Sequence, residues 1–266
     1  MTPRLDPEYG QSEHRGMKRL YFGFSLLLLA GCAHRFHSYW NVRQLVLSPD
    51  PVIDLATQEN RVLLRVDKRT LQKLFLSHVH IARAANVQAE LVLVDGDEPN
   101  AFAAFISGRR AVAVNLGMVK LVGEQDDEFA ALLGHEIAHW AKGHVDSGRS
   151  RSGTIQGLGT LAGVGLGLAG VPAAGVVSGF GADIIESSFS RDDEREADAW
   201  GIDYMTAAGS DPWAAVRLHE KLWASPGGVR IPFLSSHPSG QERIENLKHV
   251  IEAKKHQSET SSAPSD

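Results

Sequence analysis

The chain has 266 residues, 43% of them apolar and 22% charged, enough for one well-buried core or two small ones and too apolar for disorder throughout. A formal charge of −5 leaves no basic stripe for a phosphate backbone, which argues against nucleic acid as a partner.

Residues 17–31 read as a secretory signal: basic Lys18 and Arg19, an apolar run from Leu20 to Leu29, then a small-residue site ending at Cys32. The run is shorter than the ~20 residues of a transmembrane helix. Residues 1–16 are polar and are expected to be an over-called start, with Met17 the true one. Leu29-Ala30-Gly31-Cys32 resembles a bacterial lipobox, which implies lipidation at Cys32. Ala33, where an aspartate would retain the protein, implies the periplasmic face of the outer membrane. Several acyl chains at ~0.8 kcal/mol per buried CH₂ would hold a soluble domain there. Cys32 is the single cysteine, so the remainder forms no internal disulfide even in an oxidising compartment.

Residues 32–67, with turn signals from Ser48 to Pro51, read as a lipid-anchored tether leading into the first packed segments. From Lys68 the pattern Leu71, Leu74, Phe75, His78, Ile81, Ala82 has helical spacing, and His78 and His80 are read as surface or boundary residues. "AELVLVDGDEPNAFAAFISGRRAVAVNLGMVKLV" reads as three strands joined by turns, a small antiparallel sheet. A helix then opens on Asp126, Asp127 and Glu128, where acids favour an N-terminus.

That helix carries "HEIAH". His135 and His139, four apart, project from one side and can converge on one ion, while Glu136 is turned away and free to reach a water: the H-E-x-x-H arrangement of zinc peptidases. His144 falls at the wrong angle to join and is read as a last-turn histidine that favours the helix dipole. A catalytic zinc needs a third protein ligand and an open position. In "SFSRDDEREADAWGIDYM", Glu194 and Asp198 are again four apart, so one can ligate while the other orients a histidine.

Between these segments, residues 153–188 are rich in small and apolar residues. Pro172 and the frequent glycines argue against a membrane hairpin, and two packed helices over the active-site helix are expected, with Gly163 and Gly167 permitting close approach. A lid, or a surface that meets membrane-protein substrates, are the other readings. "DPWAAVRLHEKLWAS" reads as an amphipathic helix entered through Asp211 and Pro212. Arg243 is expected to pair with an acidic residue, and residues 253–266 to be a disordered tail.

"HEIAH", "SR…E…AD…G" from Ser190 to Gly201, "NAFA" from Asn100 to Ala103 and "HPSGQERI" from His237 to Ile244 fall in one order over residues 68–252. Together they resemble the M48 family of zinc metallopeptidases, above all its periplasmic, lipid-anchored members. The resemblance implies an α+β, mainly α, zincin-like (gluzincin) fold with the small antiparallel sheet flanking the HExxH helix. It implies one Zn²⁺ per chain held by His135, His139 and Glu194, with Glu136 as general base and Asp198 as a partner behind the ligands. It also brings His237 near the metal, as a reversible fourth ligand or as a donor to the developing oxyanion. Asn100, Ala101, Phe102 and Ala103 would form a sheet edge that binds substrate as an added strand. The function so implied is an endopeptidase for unfolded or misassembled envelope proteins, partnered with outer-membrane proteins or their assembly machinery. The alternative is a chaperone or assembly factor that uses the same groove with little proteolysis; an intact Glu136 favours the enzyme.

Overall fold

A computed structural model describes residues 20–22, 38–57, 59–106, 108–147, 189–225, 231–237 and 240–261. Cys32 and residues 153–188 lie outside them. Within the segment read as a leader, Leu20–Phe22 form a short strand, β1.

Packing is established from Ser38 onward, earlier than a tether would suggest. β2 (Tyr39–Asn41) leads directly into α1 (Val42–Val46), whose start is capped by the Asn41 side chain. β3 (Val52–Ala56) and β4 (Val62–Asp67) pair antiparallel, and β1 adds to β3 in parallel, giving a three-stranded sheet. Trp40, Val42, Leu45, Ile53 and Leu55 from this region are all buried in the main core.

α2 (Lys68–Ala84) starts where the Asp67 carboxylate accepts the Arg69 N–H at 2.7 Å. Its buried stripe is Leu71, Leu74, His78 and Ile81. His78 is therefore interior, a correction to its surface or boundary reading, whereas His80 is exposed. Positions 71, 74, 78 and 81 share one face of a 3.6-residue helix, so the stripe carries the histidine inward with it.

The three expected strands are β5 (Glu90–Val94), β6 (Ala101–Ile106) and β7 (Arg109–Asn115). They do not form an antiparallel meander. The sheet order is β2-β5-β7-β6, with β5 parallel to β7 and β6 antiparallel to β7 at the edge. Asn115 gives the reason. From the end of β7 its Oδ1 accepts the N–H groups of Asn100 (2.9 Å) and Met118 (2.8 Å), and its Nδ2 donates to Glu98 O (2.5 Å). The chain leaving β5 is thereby pinned beside the end of β7, which takes the central place and leaves β6 outside. Buried runs in β5 and β7, with no apolar/polar alternation, are the mark of strands covered on both faces.

α3 (Leu116–Val122), capped by the same Asn115, occupies the end of the segment read as strand. α4 (Asp126–Ala141) follows, and every residue from Glu128 to Trp140 is buried. It is enclosed by α2, by α5 (Arg191–Ala207), by α6 (Trp213–Ala224) and by β6 and β7. The Trp140 indole donates to Ala111 O at 3.0 Å and meets Phe105 edge-on. A short α7 (Pro232–Ser236) and a long α8 (Gln241–Ser261) complete a mainly helical chain with two small sheets. α8 continues through residues expected to be a disordered tail. Its polar length is tied to α5 by the pair Lys254–Asp203 at 2.6 Å and to itself by Lys248–Glu245 at 2.8 Å. No helix among the described residues is long and apolar enough to cross a membrane.

Candidate metal centre

α4 and α5 meet at two glycines. A Cβ on Gly134 would lie 3.0 Å from Gly201 O, and one on Gly201 would lie 3.1 Å from the Gly134 carbonyl carbon and the His135 nitrogen. Backbone meets backbone, so the side chains that flank the crossing are drawn to one point. α5 begins with a complete capping box, Ser190 Oγ accepting the Asp193 N–H while Asp193 accepts the Ser190 N–H. The cap fixes the first turn, from which Glu194 projects.

One ligand atom each from His135, His139, Glu194 and His237 lies within 4.8 Å of all the others, and all four residues are buried. His135 Nε2 is 3.1 Å from His139 Nε2 and 3.1 Å from His237 Nδ1. Glu194 stands 3.0 Å from His237 Nδ1 and 3.4 Å from each of the Nε2 atoms of His135 and His139. A tetrahedral ion with bonds of ~2.0–2.1 Å has ligand-to-ligand edges of ~3.3–3.4 Å, so this set needs only slight expansion to fit one. Imidazole lone pairs facing one another at such range repel unless a cation lies among them. The donor set, three nitrogens and a carboxylate, is the chemistry zinc takes.

Glu136 is fully buried, and neither of its carboxylate oxygens has a hydrogen-bond partner among the described residues. His237 Nε2, also without one, lies 3.4 Å from Glu136 Oε1. Both groups border the cluster and face each other without a hydrogen bond.

Behind the ligands lies a network. Asp198 Oδ1 is 3.0 Å from His135 Nδ1, placed to accept an N–H from that ring, and Arg243 Nη2 lies 3.1 Å from the same nitrogen. Arg243 grips Asp198 with two bonds of 2.6 and 2.8 Å, donates to Glu194 at 2.8 Å, and reaches the His237 carbonyl at 3.3 Å. Arg243 thus has the acidic partners expected of it and also fastens the loop that presents His237. The histidine read as a last-turn dipole residue, His144, is instead buried, with its Nδ1 3.0 Å from His139 Nδ1. Gly143, at φ 72°, turns the chain back after α4 so that His144 opens a new helical turn at 144–147. Phe189 stacks on His139 at 3.7 Å between centroids, and Phe233 lies 4.8 Å from His237.

Burial opposes ionisation of Glu194, but the positive charge facing it from His237 and His135 holds it well below the usual carboxylate range. Burial likewise opposes Asp198, which Arg243 and then His135 hold down. Burial drives His139 well below its ordinary value. For His135, burial and Arg243 press downward, yet Glu194 and Asp198 outweigh them and raise it to about 9. Glu194 and Asp198 are thus held ionised beside the histidine rings.

Asn100, Ala101, Phe102 and Ala103 stand apart from this cluster. Ala101 and Ala103 are buried, and Phe102 is half-buried against the smaller cluster of Val92, Val94 and Ala113. The link to the site is α7, whose Phe233 N–H donates to Pro99 O at 3.4 Å just before β6. Asn100 Oδ1 is buried and has no hydrogen-bond partner among the described residues.

Residues 66–251 match the peptidase family M48, well over half of the chain. The chain belongs to peptidase family M48. It is 26% identical over 150 residues to the metalloprotease LoiP of Escherichia coli (strain K12), covering 56% of this chain and 59% of that protein. It is 30% identical over 185 residues to the mitochondrial metalloendopeptidase OMA1 of Schizosaccharomyces pombe, covering 69% and 52%. A third relative is the beta-barrel assembly-enhancing protease of E. coli, 26% identical over 178 residues, covering 63% and 35%. The alignments cover between 35% and 59% of the length of these relatives. The buried cluster lies wholly within the matched residues.

Proposed function

We propose that the chain is a zinc-dependent endopeptidase of zincin-like fold. The observation that carries this reading is four buried donors gathered within 4.8 Å beside a carboxylate, Glu136, that has no hydrogen-bond partner among the described residues. His135, His139 and Glu194 would hold the ion, Asp198 would orient His135, and one ion per chain is expected. When bound, the zinc ion polarises the scissile carbonyl and lowers the pKa of a water from 15.7 toward ~7. Glu136 takes the proton of the attacking water and returns it to the leaving nitrogen. His237 occupies the fourth donor position through Nδ1, which supports its role as a reversible ligand that must swing away before substrate binds. The competing role, a donor to the oxyanion, is distinguished by His237→Ala: hydrolysis rises if the ring blocks the site and falls if it stabilises the transition state.

β6 is the edge of its sheet, adjacent to α4 and continuous with the loop that carries Asn100. An extended peptide adding to this edge through main-chain hydrogen bonds is bound with little regard to sequence. Tolerance of that kind suits the clearance of unfolded or misassembled envelope proteins. The lipobox-like "LAGC" supports attachment at Cys32 on the periplasmic face of the outer membrane. A relative named beta-barrel assembly-enhancing protease supports outer-membrane proteins or their assembly machinery as partners, and keeps client binding without cleavage as the second reading.

Zinc content and casein hydrolysis of the purified protein beside Glu136→Gln test both. Stoichiometric zinc in each, with cleavage only by the parent, establishes peptidase and base together. Stoichiometric zinc with no cleavage by parent or by His237→Ala overturns the enzyme in favour of the binder.

A further inference from the structure

A neutral imidazole carries one proton, so a ring that offers one nitrogen to an ion must hold its proton on the other and donate it somewhere. For His135 the recipient is Asp198, buried at 3.0 Å. For His139 the cluster-facing atom is Nε2, which leaves the proton on Nδ1. The hydrogen-bond partner of that atom among the described residues is another histidine nitrogen, His144 Nδ1 at 3.0 Å. Two N–H groups cannot face each other across such a contact. If His139 donates, His144 must be bare at Nδ1 and protonated at Nε2. His144 Nε2 in turn meets two acceptors, Glu196 Oε2 at 3.2 Å and Asp193 Oδ1 at 3.7 Å. Each proton position follows from the next, and no member of the chain is left facing a like group.

We propose that His144, itself set by Glu196, is the positioning residue that holds His139 in the tautomer with its Nε2 lone pair turned to the metal. This rests on the zinc reading above. His144 does not touch the ion or the substrate and acts only through His139. The two histidines of the motif are thereby held differently: His135 directly by a buried carboxylate, His139 through a second ring by a carboxylate that is 44% exposed and shared with Lys142 at 3.0 Å.

The test compares His144→Leu, which keeps apolar bulk but accepts nothing, with His144→Asn, whose Oδ1 stands where Nδ1 stood. Zinc affinity is measured by chelator competition, and the visible spectrum of the cobalt(II)-substituted protein reports ligand geometry. Loss of an outer partner weakens metal binding 10- to 100-fold, so that fall is expected for His144→Leu, with an altered cobalt spectrum. His144→Asn is expected to stay within a few-fold of the parent, with the parent spectrum. Glu196→Ala, on the surface and safe for folding, is expected to weaken zinc by several-fold and serves if His144→Leu does not fold. Parent-like affinity in both His144→Leu and Glu196→Ala overturns the inference while leaving the metal reading intact. Equal losses in His144→Leu and His144→Asn also overturn it, since the ring would then serve shape alone. A parent that binds neither zinc nor cobalt overturns the metal reading, and this inference with it.

Discussion

Glu136 and Arg243 are both buried charges with opposite circumstances. Arg243 satisfies Asp198, Glu194 and the His237 carbonyl at once, whereas neither Glu136 oxygen has a hydrogen-bond partner among the described residues. Removing one partner of a buried pair costs about 3–5 kcal/mol, because the charge left behind stays buried. Arg243→Ala is expected to lose stability of that order in urea unfolding, and Arg243→Lys to recover only part, since an ammonium cannot make the forked contact with Asp198. Glu136→Gln should instead keep its zinc and its melting temperature while cleavage falls by about 10²–10⁴, the contribution of a general base. At this scale the sequence told half the story. His135, Glu136 and His139 were legible because four-residue spacing places side chains on one helix face whatever surrounds it. His144 was misread by the same logic: it assumed the helix ran on, whereas Gly143 ends it and turns the ring back. "HWAKGH" held that signal, since a glycine one residue before a polar ring marks a helix end. The acidic partner of Arg243 was anticipated, yet its hold on the His237 loop depends on α8 meeting α5, which no local pattern states.

Among elements, the crossing of α4 and α5 decides whether there is a site at all. An alanine in place of glycine ordinarily favours a helix by ~1 kcal/mol. At Gly201 the added methyl would press on the backbone of Gly134 and His135 at about 3.1 Å, and overpacking of this kind costs ~1–3 kcal/mol. Gly201→Ala is therefore expected to lower the melting temperature despite its better propensity, and to weaken zinc at least tenfold as Glu194 is moved from the two histidines. Thermal melts and zinc competition on one preparation check both. A melt above that of the parent would show that the helices can separate freely. The strands themselves could be read from the sequence, but their order could not. Apolar runs identify a strand without naming its neighbour, and Asn115, which pins the loop after β5 and puts β7 in the middle, looks like any turn residue in the text. Nor does apolar periodicity reveal α3, whose start depends on that same side chain.

On the scale of the whole molecule, acid sensitivity follows from histidines kept neutral in the interior. His78 is the plainest, remote in sequence from the cluster, with its Nε2 buried and without a partner among the described residues and burial lowering it to about 4. Unfolded, it takes up a proton near 6.5. The unfolded chain thus binds more protons between these values, and stability falls as pH drops through them while staying level above. The share of His78 is about 2 kcal/mol at pH 5 and approaches ~3 kcal/mol near pH 4. Urea unfolding in chelator at pH 7 and pH 5 should show the parent losing about 2 kcal/mol more than His78→Met. Equal losses would mean that His78 opens to solvent before the core does. The extent of the folded body was only partly readable: α8 reaches Ser261 on contacts with α5 that its own polar sequence does not advertise.

The outward edge of β6 favours extended chain. A strand edge engages only a chain that can be drawn straight over three or four residues, about 10–13 Å. A segment already wound in a helix or paired in a sheet must first be released, at the cost of its local stability, and each 1.4 kcal/mol of that stability cuts the accessible fraction tenfold. On the proposed reading, a small-residue edge of Ala101, Ala103 and Ala104 would therefore act as a gauge of folding, sorting neighbours in the envelope by how easily they come undone and not by the letters they carry.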